Sequence, residues 1–537
     1  MRLTRIGLEN YRRLEDAEIE VRDHLVLVGA NDVGKSSLLR ALDLVLGAST
    51  AQLYSSLGAD DFRDPNADLR LRVQLVDFNA DEKALFADEI FVNPSTSESS
   101  LTIQLTATID ASESLTVSRI GPHAGTGRQL SRDQLAGLGW KFLSARAQTR
   151  DLREDRRSAL DDMLRAIDLG GEKASFDAIA TSFQGALDNS KVLADLRVQL
   201  AGQLSKALPE ELKEKDLSFV SGASADDDLL SDVRLRVTKG GIEHELSQQS
   251  DGTRALYAIA LYDLMSEGAN VVCIDEPEIH LHPTSQRSLA RLLRASTNQK
   301  VLATHSSDIV GAFDADSIVV VRPGGRIVQP GRGFLAADER TFVKWWVRDK
   351  LEPLTAMHVV TVEGLSDRIV LERIADLTDR NLDRLGVSVI ETDGASEVRP
   401  IAKLFGPSGF DLPVSRLIDD DQAKIDLADA LGIAVDDLGA HSVFISQQDL
   451  EDEYVRALGG ENVYAALRDG GHFSRNELAN CAARGPGGTH TDEDVAEFCR
   501  VNKRKIRAAL SVLPLLSETN ATGITSVNAL LSEIAGQ

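Results

Sequence analysis

Cysteine is scarce in this 537-residue chain: Cys273, Cys481 and Cys499 stand far apart. Their scatter argues against both a disulfide framework and a zinc knuckle. Long apolar runs are missing too. None approaches the roughly 18 residues of a membrane span, and Met1-Arg2-Leu3-Thr4-Arg5-Ile6-Gly7 lacks the apolar stretch of a secretory signal. The expectation is a cytosolic protein with no membrane partner. Positive charge is in deficit: 59 Lys and Arg against 84 Asp and Glu leave a net charge of −25. That balance disfavours broad, non-specific adhesion to nucleic acid, although contact depends on where the charge lies. Two clusters oppose the bulk: Arg146, Arg150, Arg153, Arg156 and Arg157, then Arg500, Lys503, Arg504, Lys505 and Arg507. Taken alone, each reads equally well as a solvated helix face.

Hydrophobic content of 42% with 27% charged residues is that of a globular protein, and the length predicts two or three domains. Leu25-Val26-Leu27-Val28 has the pattern of a buried strand. Gly29-Ala30-Asn31-Asp32-Val33-Gly34-Lys35-Ser36 follows directly, and Ser37-Leu38-Leu39-Arg40-Ala41-Leu42 continues with helical spacing. Strand, glycine-rich loop and helix together predict a nucleoside triphosphate site. Gly29 and Gly34 let the backbone curl so that N–H groups face phosphate, with Asn31 on the loop and Ser37 in the first helical turn. Lys35 would reach the β- and γ-phosphates, and the Ser36 hydroxyl would ligate Mg²⁺. A second apolar run, Asn270-Val271-Val272-Cys273-Ile274, ends in Asp275-Glu276-Pro277. Asp275 would hold Mg²⁺ through water, and Glu276 would polarise the attacking water. His305, at the tip of the run Val301-Leu302-Ala303-Thr304, is the candidate γ-phosphate sensor.

Leu246-Ser247-Gln248-Gln249-Ser250-Asp251-Gly252-Thr253-Arg254 opens an apparent helix. Its Ser250-x-Gly252 resembles the signature motif of ABC-type ATPases, in the degenerate form of the SMC, RecF and Rad50 group. Leu8-Glu9-Asn10-Tyr11-Arg12-Arg13-Leu14 resembles that group's opening, where a basic residue lies near the nucleotide. The resemblance implies that Ser250 and Gly252 complete the γ-phosphate site of an opposite subunit. One motif set per chain then implies a homodimer or higher oligomer with sandwiched ATP. Residues 66–120 alternate in strand fashion, as in Leu69-Arg70-Leu71-Arg72-Val73-Gln74-Leu75. Residues 147–215 change to helical spacing, with Leu160, Met163, Leu164, Ile167, then Phe176, Ile179, Phe183, Leu187, then Leu193, Leu196, Leu200, Leu204. This is too short for a coiled-coil arm and suits a helical dimerisation insert; an ordinary helical subdomain is the plainer alternative.

A second chemistry begins at His358-Val359-Val360-Thr361-Val362, a predicted strand that delivers Glu363-Gly364. A helix with Asp367 and Glu372 follows. Further strands are predicted at Val387-Ser388-Val389-Ile390, at Val414-Ser415-Arg416-Leu417-Ile418 before Asp419-Asp420-Asp421, and at Ser442-Val443-Phe444-Ile445 before Asp449-Leu450-Glu451. Strands alternating with helices predict a parallel sheet, and carboxylates at strand ends converge in one crevice. Such acids repel one another unless a cation neutralises them. Hard oxygen donors without clustered His or Cys suit Mg²⁺ or Mn²⁺. Glu363, Asp367, Asp419, Asp421, Asp449 and Glu451 suffice for two ions, which could clamp both reacting oxygens of a phosphodiester. Asp420 and Asp452 read as surface acids, and Glu372 could be one. A lysine of the basic run could stabilise transition-state charge; Lys505 is the first candidate and Lys503 the second.

The spacing of Glu363 and Asp419-x-Asp421 resembles the Toprim domain. An ABC-type head joined to such a domain resembles the OLD (overcoming lysogenization defect) family of ATP-dependent nucleases, which includes the nuclease subunit of the Gabija antiphage system. Asp275-Glu276-Pro277-Glu278-Ile279-His280-Leu281-His282-Pro283 and Thr304-His305-Ser306 belong to the same likeness. The implied fold class is α/β: an ABC-type (SMC/RecF/Rad50-like) P-loop ATPase with a helical insert, then a parallel-sheet Toprim domain. The implied domains are 1–146 and 216–350 for the ATPase, 147–215 for the insert and 351–537 for the Toprim domain. The implied activity is ATP-linked, Mg²⁺- or Mn²⁺-dependent DNA nicking and cleavage in phage defence or DNA maintenance. DNA is the expected partner, with a superfamily 1 helicase possible as a second. The competing expectation is a nucleotide-switched DNA clamp or signalling ATPase with a non-cutting Toprim domain. Template-binding and nucleotide-substrate features of a primase are not seen, and nothing around Tyr454, the tyrosine nearest the acidic motifs, suggests the nucleophile of a topoisomerase.

Overall fold

A computed structural model describes residues 1–110, 114–123, 127–143, 173–207, 211–221, 233–239, 241–245, 250–266, 268–336, 339, 343, 351–392 and 395–536. The first basic cluster, 146–157, the first part of the expected helical insert and Asp393 lie outside the described residues. The chain divides into two compact units, Met1–Ile327 with Val347–Asp349, and Val328–Trp346 with Lys350–Gln537.

The first unit holds three sheets among the described residues, a small antiparallel one of Leu217–Ser221, Val233–Lys239 and Ile242–Glu245 and two larger ones. The expected alternating region forms an antiparallel sheet in which Leu69–Val76 pairs with Arg2–Glu9 on one side and Ser99–Ile109 on the other. Leu69, Leu71, Val73 and Leu75 are buried while the residues between them face outward, the period-two signature of a half-buried strand. Five strands of the second large sheet run parallel. Its strands β1 (Leu25–Val28), β2 (Trp140–Leu143), β3 (Val271–Asp275), β4 (Gln299–Ala303) and β5 (Ile318–Val321) lie in the order β5-β1-β4-β3-β2. β1, β3, β4 and β5 are buried along their whole length, as parallel strands covered on both faces must be.

Helix α1 (Lys35–Leu46) leaves the glycine-rich turn and packs its Leu38, Leu39, Leu42 and Val45 into this core. Its carboxyl end has an unexpected partner. Arg119, fully buried, donates from Nη1 to the carbonyls of Leu44 (3.2 Å), Val45 (3.3 Å) and Ala48 (2.6 Å). Burial pulls its pKa down to about 10, and the helix-end carbonyls supply the compensating negative potential. In the region expected to be the helical insert, the described residues form helices Lys173–Asp188 and Lys191–Ala207. Lys191–Ala207 packs against α2 (Asp251–Met265).

The second unit centres on a parallel sheet of β6 (His358–Val362), β7 (Val387–Glu391), β8 (Val414–Asp419) and β9 (Val443–Ser446), in the order β7-β6-β8-β9. All four strands fall where the apolar runs predict them. One face packs Val360, Val362 and Leu417 against α3 (Leu365–Leu377) and the C-terminal helices. On the other, Ile418 and Val443 pack with Leu427 and Ala428. Two helices flank that face, α4 (Ala395–Phe405) and α5 (Gln422–Leu431). The unit begins upstream of the expected 351 boundary, at Val328, and Gly331, Phe334 and Glu339 are bonded into it. Gly331 N–H reaches the Ser408 carbonyl at 2.9 Å, Phe334 meets Phe410 edge-on, and Glu339 pairs with Lys403 at 2.5 Å.

Candidate functional site

The glycine-rich turn joins β1 to α1. A side chain at Gly29 would place its Cβ 2.3 Å from the Val321 carbonyl oxygen; at Gly34, where φ is 119°, it would lie 2.6 Å from Leu14. Both positions therefore require glycine. Lys35 is buried, and its Nζ curls back onto the carbonyls of Gly29 (2.9 Å) and Ala30 (2.7 Å). Burial lowers its pKa, opposed by the charges of Glu276 and Asp275. Ser36 Oγ lies 3.3 Å from Asp275 Oδ1, so the hydroxyl and the strand-end acid expected to share an ion are already neighbours. Burial raises the Asp275 pKa.

Glu276 sits at φ 49° with its N–H bonded to the Ala303 carbonyl at 2.8 Å, and its carboxylate is 3.9 Å from His305 Nε2. Burial, reinforced by the Lys35 charge, lowers the His305 pKa. A cavity of about 890 Å³ runs along this edge, lined by Arg12, Asn31, Lys35, Ser36, Ser37 and His305 among others. Arg12 also donates to Ser37 Oγ at 3.3 Å. Ser250 and Gly252 do not line it. Ser250 is exposed at the start of α2, bonded to Thr253, and Gly252 lies so close to the His280 carbonyl that a Cβ would stand 2.3 Å from its oxygen.

One positioning residue escaped the sequence reading. Glu278 accepts from Thr304 Oγ1 (2.7 Å) and from the His305 N–H (2.5 Å), tying the loop after β3 to the loop after β4. It was visible only as part of the Asp275–Pro283 run, since its partners lie nearly thirty residues on.

In the second unit Glu363 follows β6, Asp419 ends β8, and Asp449 follows β9. β7 and β8 flank β6 on opposite sides, so these ends meet at the point where strand order reverses, the usual crevice of an open parallel sheet. Glu363 Oε1 accepts from the Asp419 N–H at 2.9 Å, and Asp419 Oδ1 from the Leu450 N–H at 3.1 Å. Lys505, on α6 (Asn502–Val512), puts its Nζ 3.5 Å from Asp419 Oδ2 and 3.3 Å from Glu451 Oε2. Although burial opposes its charge, Glu451, Asp419 and Asp367 hold the Lys505 ammonium above the ordinary lysine value. Burial, with Asp419 among the neighbouring charges, raises Glu363 and Asp367 each to about 7; burial also raises Asp419 and Glu451.

Asp367 caps α3 through the Gly364 N–H at 3.0 Å, Asp421 accepts from the Ala423 N–H at 2.7 Å, and Asp449 from the Asp452 N–H at 2.7 Å. Arg500 Nε lies 2.8 Å from Asp449 Oδ2, a contact the basic run did not single out. Lys503 is exposed and, among the described residues, pairs with none of these acids. Asp420 pairs with Lys424, Asp452 with Arg456, and Glu372 with Arg368 at 2.7 Å, the ordinary helix-surface role. Tyr454 is sealed in the core.

Among the described residues, no three His, Cys, Asp or Glu side chains converge as they stand into a metal cage. Lys505, Arg500 and backbone N–H groups contact these acids instead. The donor chemistry nonetheless fits a hard divalent ion: the acids offer carboxylate oxygens only, and the buried Glu451 Oε2 faces a cation, Lys505 Nζ, at 3.3 Å.

A strand, a glycine-rich turn and a helix beside an Asp-Glu strand end define a P-loop ATPase, here joined to a parallel-sheet unit with acids at its strand ends. Residues 25–311 match the family described as "AAA domain, putative AbiEii toxin, Type IV TA system", and 354–421 match "Overcoming lysogenization defect protein-like, TOPRIM domain". The chain belongs to that AAA family, whose model spans more than half of it, and carries the OLD-like TOPRIM domain after it. These two domains imply use of a nucleotide and a divalent metal. The chain is 21% identical over 427 residues to the Endonuclease GajA of Bacillus cereus (strain VD045), covering 73% of this chain and 71% of that protein. It is 23% identical over 465 residues to the OLD nuclease of Thermus scotoductus, covering 79% and 83%. The C-terminal region of the Burkholderia pseudomallei OLD protein matches 34% of this chain and 98% of its own at 25% identity, with a TM-score of 0.27. Among the described residues no helix is long and apolar enough to cross a membrane.

Proposed function

We propose that this chain is an ATP-regulated, divalent-metal-dependent DNA endonuclease acting in phage defence or DNA maintenance. The observation that carries the reading is the gathering of Glu363, Asp367, Asp419 and Glu451 around Lys505 at the strand ends of a parallel sheet. The names of two relatives, an endonuclease and a nuclease, support DNA as the substrate. Glu363, Asp367, Asp419, Asp421, Asp449 and Glu451 would hold Mg²⁺ or Mn²⁺, in two ions. Such ions activate water and neutralise the phosphodiester. Lys505 keeps its proton and offsets negative charge developing on the phosphate. Arg500 holds Asp449 in place. Water is the nucleophile, since Tyr454 is sealed away.

At the nucleotide site, Lys35 would exchange its loop carbonyls for phosphate oxygens. Ser36 and Asp275 would hold the accompanying ion, Glu276 would orient water, and His305 would read the γ-phosphate. Ser250 and Gly252, outside their own chain's cavity, would serve a second copy in a homodimer or larger assembly.

A supercoiled-plasmid nicking assay in Mg²⁺ or Mn²⁺ tests the metal site. Glu363→Ala and Asp419→Ala should each reduce nicking at least a hundredfold; full activity in both would sink the assignment. The competing reading, a non-cutting Toprim domain in a nucleotide-switched clamp, is favoured by one observation: Lys505 and Arg500 already balance several of the acids. It predicts no metal-dependent nicking by the wild type.

A further inference from the structure

The acids of the second unit border a cavity that no step above uses. It measures about 230 Å³ and lies against the sheet face that carries Ile418, away from the large helical core. Thr361 of β6 and Arg416 of β8 are register partners on this face, and both line the cavity. Ile401 of α4 and Leu427 of α5 form apolar wall with Ile418, while Glu363 and Asp421 stand in its lining as well as among the metal-site acids.

Arg416 is the anomaly. Burial pulls its pKa down to about 10, yet the one hydrogen bond of its guanidinium, among the described residues, runs from Nη1 to the Val414 carbonyl of its own strand at 3.2 Å. Glu363, Asp421 and Asp426 share the cavity with it, and none is within ion-pairing distance. A guanidinium offers five N–H donors in a fork that matches phosphate. A largely desolvated cation with one bond is costly unless an anion completes it.

We propose that this cavity binds one deoxynucleoside monophosphate unit of the DNA strand being cut, with its phosphate on Arg416 and its ring against Ile401, Ile418 and Leu427. At about 230 Å³ the cavity falls below the roughly 300–1,000 Å³ of pockets for drug-sized ligands, which limits it to one nucleotide unit. A base that enters must leave the duplex stack, so the site favours unpaired or frayed strands. The inference rests on the nuclease reading, because metal at Glu363 and Asp421 would offset the repulsion between those acids and the incoming phosphate.

The test uses the full chain with its P-loop saturated by a non-hydrolysable ATP analogue. Thymidine 5′-monophosphate is titrated in by calorimetry with Mg²⁺, and nicking is measured in parallel. Arg416→Gln removes the cation. Ala423→Leu, at a partly exposed helix position lining the cavity, narrows it without touching charge. Both should weaken monophosphate binding about tenfold or more, the value of a charged hydrogen bond, and raise KM for DNA while moving kcat less. A wild type that nicks DNA but does not bind the monophosphate, or binds it equally in all three proteins, overturns the cavity assignment and leaves the nuclease standing. Binding that depends on Arg416 in a wild type that cuts no DNA overturns the nuclease reading and the strand as the ligand's source, leaving a site for free mononucleotide.

Discussion

Lys505 and Lys503 lie two positions apart, and the structure separates them by helix geometry: one points at Asp419 and Glu451, the other at solvent. Sequence could rank them only by nearness to the following helix, because which side of a helix faces a crevice depends on tertiary packing. Arg416 was illegible for a related reason, since a polar residue inside a strand reads as an ordinary outward position. The acids themselves were legible, as strand ends are marked by where apolar runs stop. Their raised pKa values carry a stability consequence. Glu363 and Asp367 are held near 7 by burial and by Asp419, with Asp421 and Glu451 adding to it and Lys505 opposing. The folded state therefore binds more protons than the unfolded one between about pH 4 and 7, and stability falls as pH rises through that window. In chelator, the melting temperature should drop from about pH 5.5 to 7.5 by more in the wild type than in Glu363→Gln, and Mg²⁺ at the higher pH should restore it. Equal slopes in the two proteins would show that this carboxyl does not titrate as described.

The nucleotide-binding helix was predictable from its strand, its glycines and its apolar spacing. What fastens its far end was not, because Arg119 arrives from a strand more than seventy residues away. Replacing Arg119 with Met keeps the volume but leaves three helix-end carbonyls without their donor. A loss of about 2–4 kcal/mol is expected, since unmade buried hydrogen bonds cost about 1–3 kcal/mol each and partial solvation recovers some. Chemical denaturation measures it, and an unchanged midpoint would mean that water replaces the arginine freely. Glu278 poses a sharper question at the loops it joins. Glu278→Gln keeps the shape and one acceptor oxygen, so fold and ATP binding should persist while hydrolysis slows about tenfold or more as His305 loses its fixed backbone. Hydrolysis at the wild-type rate would mean that His305 needs no such anchor.

Across the whole molecule, the order of elements was legible because each motif stands at the end of its own buried strand. The division into units was less so: Gly331, Phe334 and Glu339 join the second unit through contacts with Ser408, Phe410 and Lys403, which no local pattern announces. Oligomer and coupling lie furthest from the sequence. If Ser250 serves a second copy, Lys35→Ala and Ser250→Arg proteins, each inactive alone, should regain part of the ATPase rate when mixed and allowed to exchange subunits. Each mixed dimer then holds one intact composite site. No recovery, with exchange verified by mass, would place the signature serine outside the nucleotide site.

The most direct measurement is relaxation of supercoiled plasmid in Mg²⁺, with and without ATP, by wild type, Asp419→Ala and Lys35→Ala. Wild type should nick at a rate that ATP changes, Asp419→Ala should not nick under either condition, and Lys35→Ala should nick at a rate indifferent to ATP. Undiminished nicking by Asp419→Ala, or an unaltered ATP response in Lys35→Ala, would contradict a metal-dependent nuclease governed from its P-loop.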